Sequence, residues 1–308
     1  MITGFTESDI PSQHGRTIFI TGANTGIGFE AARALAARGG RVLLGCRSQQ
    51  RGTQAMERIR AQHPSADLVL VPLDLADLDS VAAAAAVVNQ QPKLDVLINN
   101  AGIMWTPKMK TQDGFEAQFG INHLGHFALT GHLMSQLLST PHARVVNIAS
   151  LGHRLGNGDL FWSDINADKH YNPRTRYFAS KLANLLFTYE MHRRLEARGT
   201  TLLSVAAHPG GAATELDRNV YGVTKLLAAL VRPLVPLVVN TAAQGAWPTA
   251  LAATADGVKG GQYFGPGGRG ELSGPARQVD VSAESKDPEK GRQLWNLSIK
   301  MTGVDPGI

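Results

Sequence analysis

The run Thr17-Ile18-Phe19-Ile20 is short, apolar and rich in β-formers, and it breaks directly into Thr21-Gly22-Ala23-Asn24-Thr25-Gly26-Ile27-Gly28. Residues 29–38 then carry good helix formers, and Gly39-Gly40 supplies the stop. A strand buried on both faces, a glycine turn and a helix, in that order, open a dinucleotide-binding unit. The spacing is Gly-x-x-x-Gly-x-Gly with no Gly-Lys-Ser/Thr, which does not fit the loop of nucleoside triphosphatases. Glycines here let the backbone bend sharply and approach a pyrophosphate at the helix N-terminus, where free N–H groups and the macrodipole favour negative charge. A purely structural turn is the alternative this stretch leaves open.

The same alternation runs on. Residues 41–45 form a second strand leading into Cys46-Arg47-Ser48, with Arg51 a turn further on and no Asp or Glu. In such a fold an acidic residue about 20 positions past the glycines holds the ribose of NAD, whereas an arginine accommodates the extra phosphate of NADP. Arg47 therefore favours NADP(H) over NAD(H), the alternative being a solvated residue at a strand end. A helix over 48–62 and a strand over 67–71 lead into Pro72-Leu73-Asp74-Leu75. After an Ala-rich helix over 77–89, a strand over 94–98 ends in Asn99-Asn100-Ala101-Gly102. Small and amide residues at the carboxyl ends of parallel strands can lie against a nucleotide. Asp74 is placed to accept from an adenine amine, or it is an ordinary capping or turn residue.

A chain of 308 residues, 43% hydrophobic and 18% charged, has material for a large core in one α/β domain. Residues 1–15 read as a polar leading arm, and 16–308 as a single Rossmann domain. We expect a doubly wound parallel sheet of about seven strands with helices on both faces. The formal charge of +5 is spread without blocks, and no aromatics interleave with the basic residues, which argues against a nucleic-acid partner. Cys46 is the only cysteine, so no internal disulfide forms, and it reads as a small buried hydrophobe in a reducing compartment. Neither a signal peptide nor a run of about 18 apolar residues is found, so the sequence predicts a soluble, cytoplasmic protein.

Residues 111–138 read as a helix with Phe115, Phe119, His123, Phe127, Leu133 and Leu137 at helical spacing. Asn122 is a poor mid-helix residue that either forms a local hydrogen bond or kinks the helix. His123 and His126 lack a His-Glu-x-x-His pattern or a cysteine cluster, so no metal site is expected. A strand over 143–148 delivers Ser150 to the sheet edge that carries the glycine turn. Residues 152–172 form a loop long enough for a lid. Pro173 opens a helix with Tyr177 and Lys181 at i and i+4, one above the other on the same face. A phenol titrates at about 10 in water, and a nearby cation lowers that value, so the pair offers an acid and base for neutral pH. An ordinary solvated helix face is the other reading. A strand over 202–206 runs into His208-Pro209-Gly210-Gly211-Ala212-Ala213-Thr214.

Taken in order, Thr-Gly-x-x-x-Gly-Ile-Gly, Asn-Asn-Ala-Gly, Asn122, Ser150, Tyr-x-x-x-Lys and Pro-Gly with Thr214 resemble the short-chain dehydrogenases/reductases over roughly residues 17–264. Gly-Cys-Arg-Ser, Asn-His-Leu-Gly-His-Phe, Tyr-Phe-Ala-Ser-Lys-Leu-Ala-Asn and Gly-Gln-Tyr-Phe-Gly resemble the branch of retinol dehydrogenases and protochlorophyllide reductase. The resemblance implies an NADP(H)-dependent enzyme that interconverts a carbonyl and an alcohol. In it Tyr177 is the general acid or base, and Ser150 hydrogen-bonds the substrate oxygen. Lys181 lowers the phenol and binds the nicotinamide ribose, and Asn122 holds a relay water. Gly22, Asn24, Thr25, Gly26, Ile27 and Gly28 would surround the pyrophosphate. Arg47 would hold the 2′-phosphate, and Asp74 and Leu75 the adenine. Asn99, Asn100, Ala101 and Gly102 would line the adenosine side, while Pro209, Gly210 and Thr214 would meet the nicotinamide end beside Tyr177 and Lys181. Many NADP-preferring members place a basic residue where this chain has Thr25, so the cofactor reading rests on Arg47.

A segment at about 215–240 covers the substrate in this family. Residues 223–239 are mostly Leu, Val and Ala with Lys225 and Arg232, which suggests a lipophilic or bulky substrate. A membrane-surface helix or a subunit-facing helix are the alternatives. The resemblance also implies a homodimer or homotetramer through the helices around Asn122 and Tyr177. The tail after Pro266 reads as loop, with a short helix near 288–299 closing the chain. The competing function class is a catalytically silent NADP(H)-binding sensor or scaffold, but Asn122, Ser150, Tyr177 and Lys181 are all present, so no lost residue supports it.

Overall fold

In the computed structural model, which describes residues 2–156, 158–211 and 240–308, β1 (Thr17–Thr21) is buried along its whole length. Such a strand has to sit at the centre of a sheet covered on both faces. Parallel partners flank it on each side: β2 (Arg41–Cys46) and β3 (Leu68–Pro72) on one, β4 (Val96–Asn99), β5 (Arg144–Ile148), β6 (Leu203–Ala207) and β7 (Tyr263–Pro266) on the other. The order is β3-β2-β1-β4-β5-β6-β7-β8, and only β8 (Ala276–Gln278) runs antiparallel. The chain reverses its direction of travel across the sheet between β1 and β4, which opens a crevice at their carboxyl ends.

Successive side chains of β1 alternate between two cores. Ile18 and Ile20 join Val42, Leu44, Val96 and Ile98 on one face, while Phe19 joins Leu43, Leu97 and Val145 on the other. Helix α1 (Gly26–Ala37) packs on the first face and α3 (Leu78–Asn89) on the second. Asp77 caps α3 by accepting from Asp79 N and Ser80 N. The second face also holds α4 (Gly125–Ser139) and α5 (Pro173–Ala197). Asn172 caps α5 and Pro173 occupies its first turn. Arg47 stands between β2 and α2 (Gln49–Gln62), and α6 (Trp247–Thr254) returns to the first face.

Three expectations change. The sheet has eight strands among the described residues, because the tail after Pro266 holds the edge strand β8 rather than loop alone. Its short antiparallel pairing to β7 leaves no apolar run for a sequence pattern to register. The leading arm is not free: Phe5 N donates to Ala276 O at 2.9 Å, Ala276 N returns to Phe5 O at 2.7 Å, and Phe5 and Ile10 are buried. The helix expected from residue 111 begins only at Ala117, with a π-helical turn over Gly120–Leu124 before α4.

The closing helix α7 (Pro288–Thr302) covers both α4 and α5. Trp295 packs edge-on to Phe127 at 5.3 Å and tilted against Phe187 at 5.8 Å, and His123 Nε2 bonds Ser298 Oγ at 2.9 Å. Among the described residues no helix is long and apolar enough to cross a membrane.

Candidate active site

A cleft of about 500 Å³ opens along the carboxyl ends of β1, β2, β4, β5 and β6. Its floor is backbone. Gly22 takes φ +69°, and a Cβ on Gly28 would fall 2.4 Å from both Gly22 O and Asn100 Nδ2, so only glycine lets the turn close on α1. Thr25 stands at the N-cap without a side-chain capping bond, which leaves the first N–H groups of α1 without that partner. Asn24, Thr25, Gly26 and Ile27 line the cleft above it.

At the β2 end, Arg47 and Arg51 line the cleft, both exposed. Neither guanidinium has a carboxylate partner among the described residues. Asp74 and Leu75 form the facing wall. Asp74 also holds a turn, with Oδ1 accepting from Ala76 N at 3.0 Å and its own N–H bonded to Ser80 Oγ at 2.9 Å, so both readings of this residue have a geometric basis.

Of the amide pair at the end of β4, the structure brings the second rather than the first to the cleft. Asn99 is buried, donating to Asn147 Oδ1 at 2.9 Å and Thr130 Oγ1 at 3.1 Å, while Asn100 lines the cleft and donates to Thr21 O at 2.8 Å. The pleat sends neighbouring residues to opposite faces, and the motif alone did not say which one faces out. Thr21 Oγ1 accepts from Asn100 N and Ala101 N, both at 2.9 Å, and fixes Ala101 and Gly102 at the cleft wall.

Asn122 does both things expected of it. It sits in the π-helical turn, a device common at functional sites, and its side chain is saturated. Oδ1 accepts from Ile103 N at 2.8 Å, and Nδ2 donates to Ile103 O and Ser180 Oγ, both at 3.0 Å. His126 Nδ1 bonds Asn122 O at 3.1 Å and its Nε2 bonds Thr21 Oγ1 at 2.8 Å. His126 is thus held at both ring nitrogens and His123 at Nε2 by Ser298 Oγ, and burial lowers His123 to about 3 and His126 to about 4.

Ser150, Tyr177 and Lys181 converge at the far end of the cleft. Lys181 Nζ donates to Ile148 O at 3.1 Å and lies 5.8 Å from the centre of the Tyr177 ring. A Cβ at Gly102 would stand 3.1 Å from Asn122 Oδ1 and 3.5 Å from Lys181 Nζ, so this glycine keeps the wall close to both. Burial lowers the Lys181 ammonium to about 8. The phenol is raised, because its own burial outweighs the hydrogen bond from Ser150 that lowers it. The lowering of Tyr177 expected from its pairing with Lys181 is therefore not seen in this geometry, where desolvation governs both groups. Pro209 and Gly210 close the cleft beyond Tyr177. Thr214 lies outside the described residues, as does the substrate-covering segment up to residue 239. Of the stretch 99–102 expected beside the nucleotide, Asn100, Ala101 and Gly102 reach the cleft and Asn99 does not, and Arg51, the second cation one helical turn past Arg47, lines it as well.

Comparison with known proteins points one way. A sequence model of the short chain dehydrogenase family matches residues 16–222. Retinol dehydrogenase 12 of Mus musculus is 40% identical over 293 residues, an alignment covering 94% of this chain and 87% of that protein. Retinol dehydrogenase 14 of Homo sapiens is 38% identical over 311 residues, with the same shares covered. Among solved structures, an uncharacterized protein from Mycobacterium Paratuberculosis aligns with a TM-score of 0.81 and 39% identity, over 99% of this chain and 100% of that one.

Proposed function

The chain belongs to the short-chain dehydrogenases/reductases, in the retinol dehydrogenase-like branch, and as an oxidoreductase of that branch we propose that it reduces lipophilic aldehydes or ketones with NADPH. The observation that carries the reading is the convergence of Ser150, Tyr177 and Lys181 in the same cleft as the glycine turn and two exposed arginines that have no carboxylate partner among the described residues. When bound, NADPH supplies the hydride. The Gly22–Gly28 turn and the open N-terminus of α1 suit its pyrophosphate, and Arg47 with Arg51 suit its 2′-phosphate.

The chain's own residues manage charge and protons. Hydride arriving at a carbonyl carbon leaves negative charge on oxygen, and the hydroxyls of Ser150 and Tyr177 both donate toward that oxygen. Tyr177 gives up its proton to form the alcohol, and Lys181 stabilises the phenolate that remains. Asn122, its amide taken up by Ile103 and Ser180, holds the wall around Gly102 in place beside Lys181. In the oxidative direction Tyr177 accepts the proton instead.

A lipophilic substrate is supported by the apolar composition of residues 223–239 and by the substrate in the relatives' name. Cytoplasmic residence is proposed from the lone buried Cys46, and cell fractionation tests it. The first experiment follows NADPH oxidation against aldehydes and ketones of increasing chain length, retinal included. Turnover that rises with chain length is expected. Tight NADPH binding with no turnover on any carbonyl, in either direction, would instead support the sensor or scaffold.

A further inference from the structure

The tail beyond β7 contributes a charged side chain that the cleft lining does not include. Glu271 lies in the loop between β7 and β8 with φ 57°, a left-handed conformation that a non-glycine residue adopts at a cost. Its Oε2 pairs with His208 Nε2 at 3.0 Å, and its Oε1 accepts from both terminal nitrogens of Arg154 at 3.1 Å. Each partner belongs to a segment that builds the catalytic end. Arg154 ends the 3₁₀ turn that starts directly after Ser150, and its guanidinium also bonds Asp280 O. His208 is fully buried and immediately precedes the Pro209–Gly210 turn that closes the cleft.

The imidazole has a defined tautomer. Gly210 N–H donates to His208 Nδ1 at 3.2 Å, so the ring proton is on Nε2 and is donated to Glu271. A second histidine mirrors it. His153 Nδ1 donates to Ser150 O at 2.6 Å, and its Nε2 accepts from Ser282 N at 3.4 Å. Tyr263 stands against both rings, its centroid 5.7 Å from His153 and 5.1 Å from His208. This accounts for the Gly-Gln-Tyr-Phe-Gly motif at 261–265. Tyr263 is the wall between the two imidazoles, and a Cβ on Gly265 would fall 2.0 Å from His208 Nε2, so glycine is required for the ring to reach Glu271.

We infer that Glu271 is a positioning residue that locks the turn after Ser150 and the Pro209–Gly210 turn into one register, through Arg154 and His208. The two turns bracket the reacting end of the cleft, so their relative placement sets the angle at which hydride meets the carbonyl. Burial by itself would raise Glu271, yet the hydrogen bonds from His208 and Arg154 bring it below its usual value, so it serves as an anionic acceptor. The inference rests on the reductase reading for its kinetic consequence alone.

The test is Glu271→Gln, which keeps size and removes the charge and one acceptor. Hydrogen exchange of the backbone should quicken together in residues 150–154 and 208–211. The turnover number should fall roughly tenfold, as small misplacements of reacting groups do, while NADPH affinity holds. With NADPH deuterated at the transferred position, the isotope effect should grow, which a merely structural loss would not produce. His208→Gln, whose amide can accept from Gly210 N–H and donate to Glu271, should retain more activity than His208→Ala, and this pair judges the inference even where the Glu271 variant fails to fold. Unchanged exchange in either segment, or equal damage from both His208 variants, would overturn it. A wild-type protein without turnover would overturn the reductase reading, while the exchange experiment still decides the linkage.

Discussion

The two ends of the cleft are built from different materials. At the β1–β2 end the surface is backbone and solvent-exposed cation: glycines at Gly22, Gly26 and Gly28, the start of α1, and Arg47 with Arg51. At the β5–β6 end it is mostly buried side chain: Tyr177, Lys181 held by Ile148 O, Asn122 held by Ile103 and Ser180, and the half-buried Ser150, with His153 and His208 behind them. The first end suits a ligand that brings its own charge and needs only complementary dipoles. The second suits chemistry in which protonation states must be set by desolvation.

Breaking the buried end should have the largest effect. Tyr177→Phe removes the proposed proton donor and should lower turnover by about 10²–10⁴-fold, the usual range for a lost general acid, with NADPH binding close to wild type. Retained turnover, read by NADPH oxidation, would remove Tyr177 from the acid/base role. Breaking the backbone end should act on binding and stability together. Gly28→Ala sets a methyl against Gly22 O and Asn100, at a cost of about 1–3 kcal/mol for overpacking. A fall in melting temperature with weakened NADPH binding is expected, and a variant that melts and binds like wild type would contradict the cradle.

A smaller effect separates the two cofactors. Arg47→Ala should narrow the proposed preference for NADPH over NADH by about tenfold, the order of one charge-assisted hydrogen bond, with turnover at saturating cofactor little changed. An unmoved ratio of kcat/KM values for the two cofactors would transfer the assignment to Arg51 or dismiss it. The mildest effect near neutrality concerns three buried histidines, His123, His126 and His153. Burial lowers His123 to about 3, and His126 and His153 to about 4, from an unfolded value of about 6.5. A depressed folded value means that the unfolded chain binds protons more readily, so this stability is present above about 6.5 and is lost as pH falls toward 4 and below. Melting curves should therefore hold near pH 7 and drop progressively below 6.5. A flat profile from neutrality to pH 4 would show that these rings gain charge without unfolding.

The β1–β2 end was legible because its chemistry is local in sequence. Glycine spacing, the flanking strand and helix, and a cation after β2 lie within a few dozen residues, and each constrains backbone geometry directly. The buried end was legible as a set of residues but not as an arrangement. Asn99 and Asn100 are adjacent and chemically alike, and only the position of Asn99 on the pleat, facing Asn147 and Thr130, sends it into the core. That Tyr177 and Lys181 share a helix face followed from their spacing. That burial would govern the phenol more than the ammonium does required the fold, because desolvation depends on everything packed around a group.

By itself the amino-acid sequence determined the βα alternation, the glycine turn, the ordered motifs and, through them, the family and the chemistry. Tertiary structure alone decided that the N-terminal arm pairs with β8, that α7 covers α4 and α5, and that Glu271 meets both His208 and Arg154. Backbone geometry is encoded by short-range sterics that a motif displays openly. Contacts between residues more than sixty positions apart arise only when the sheet order brings strand ends together, and no local pattern records that order.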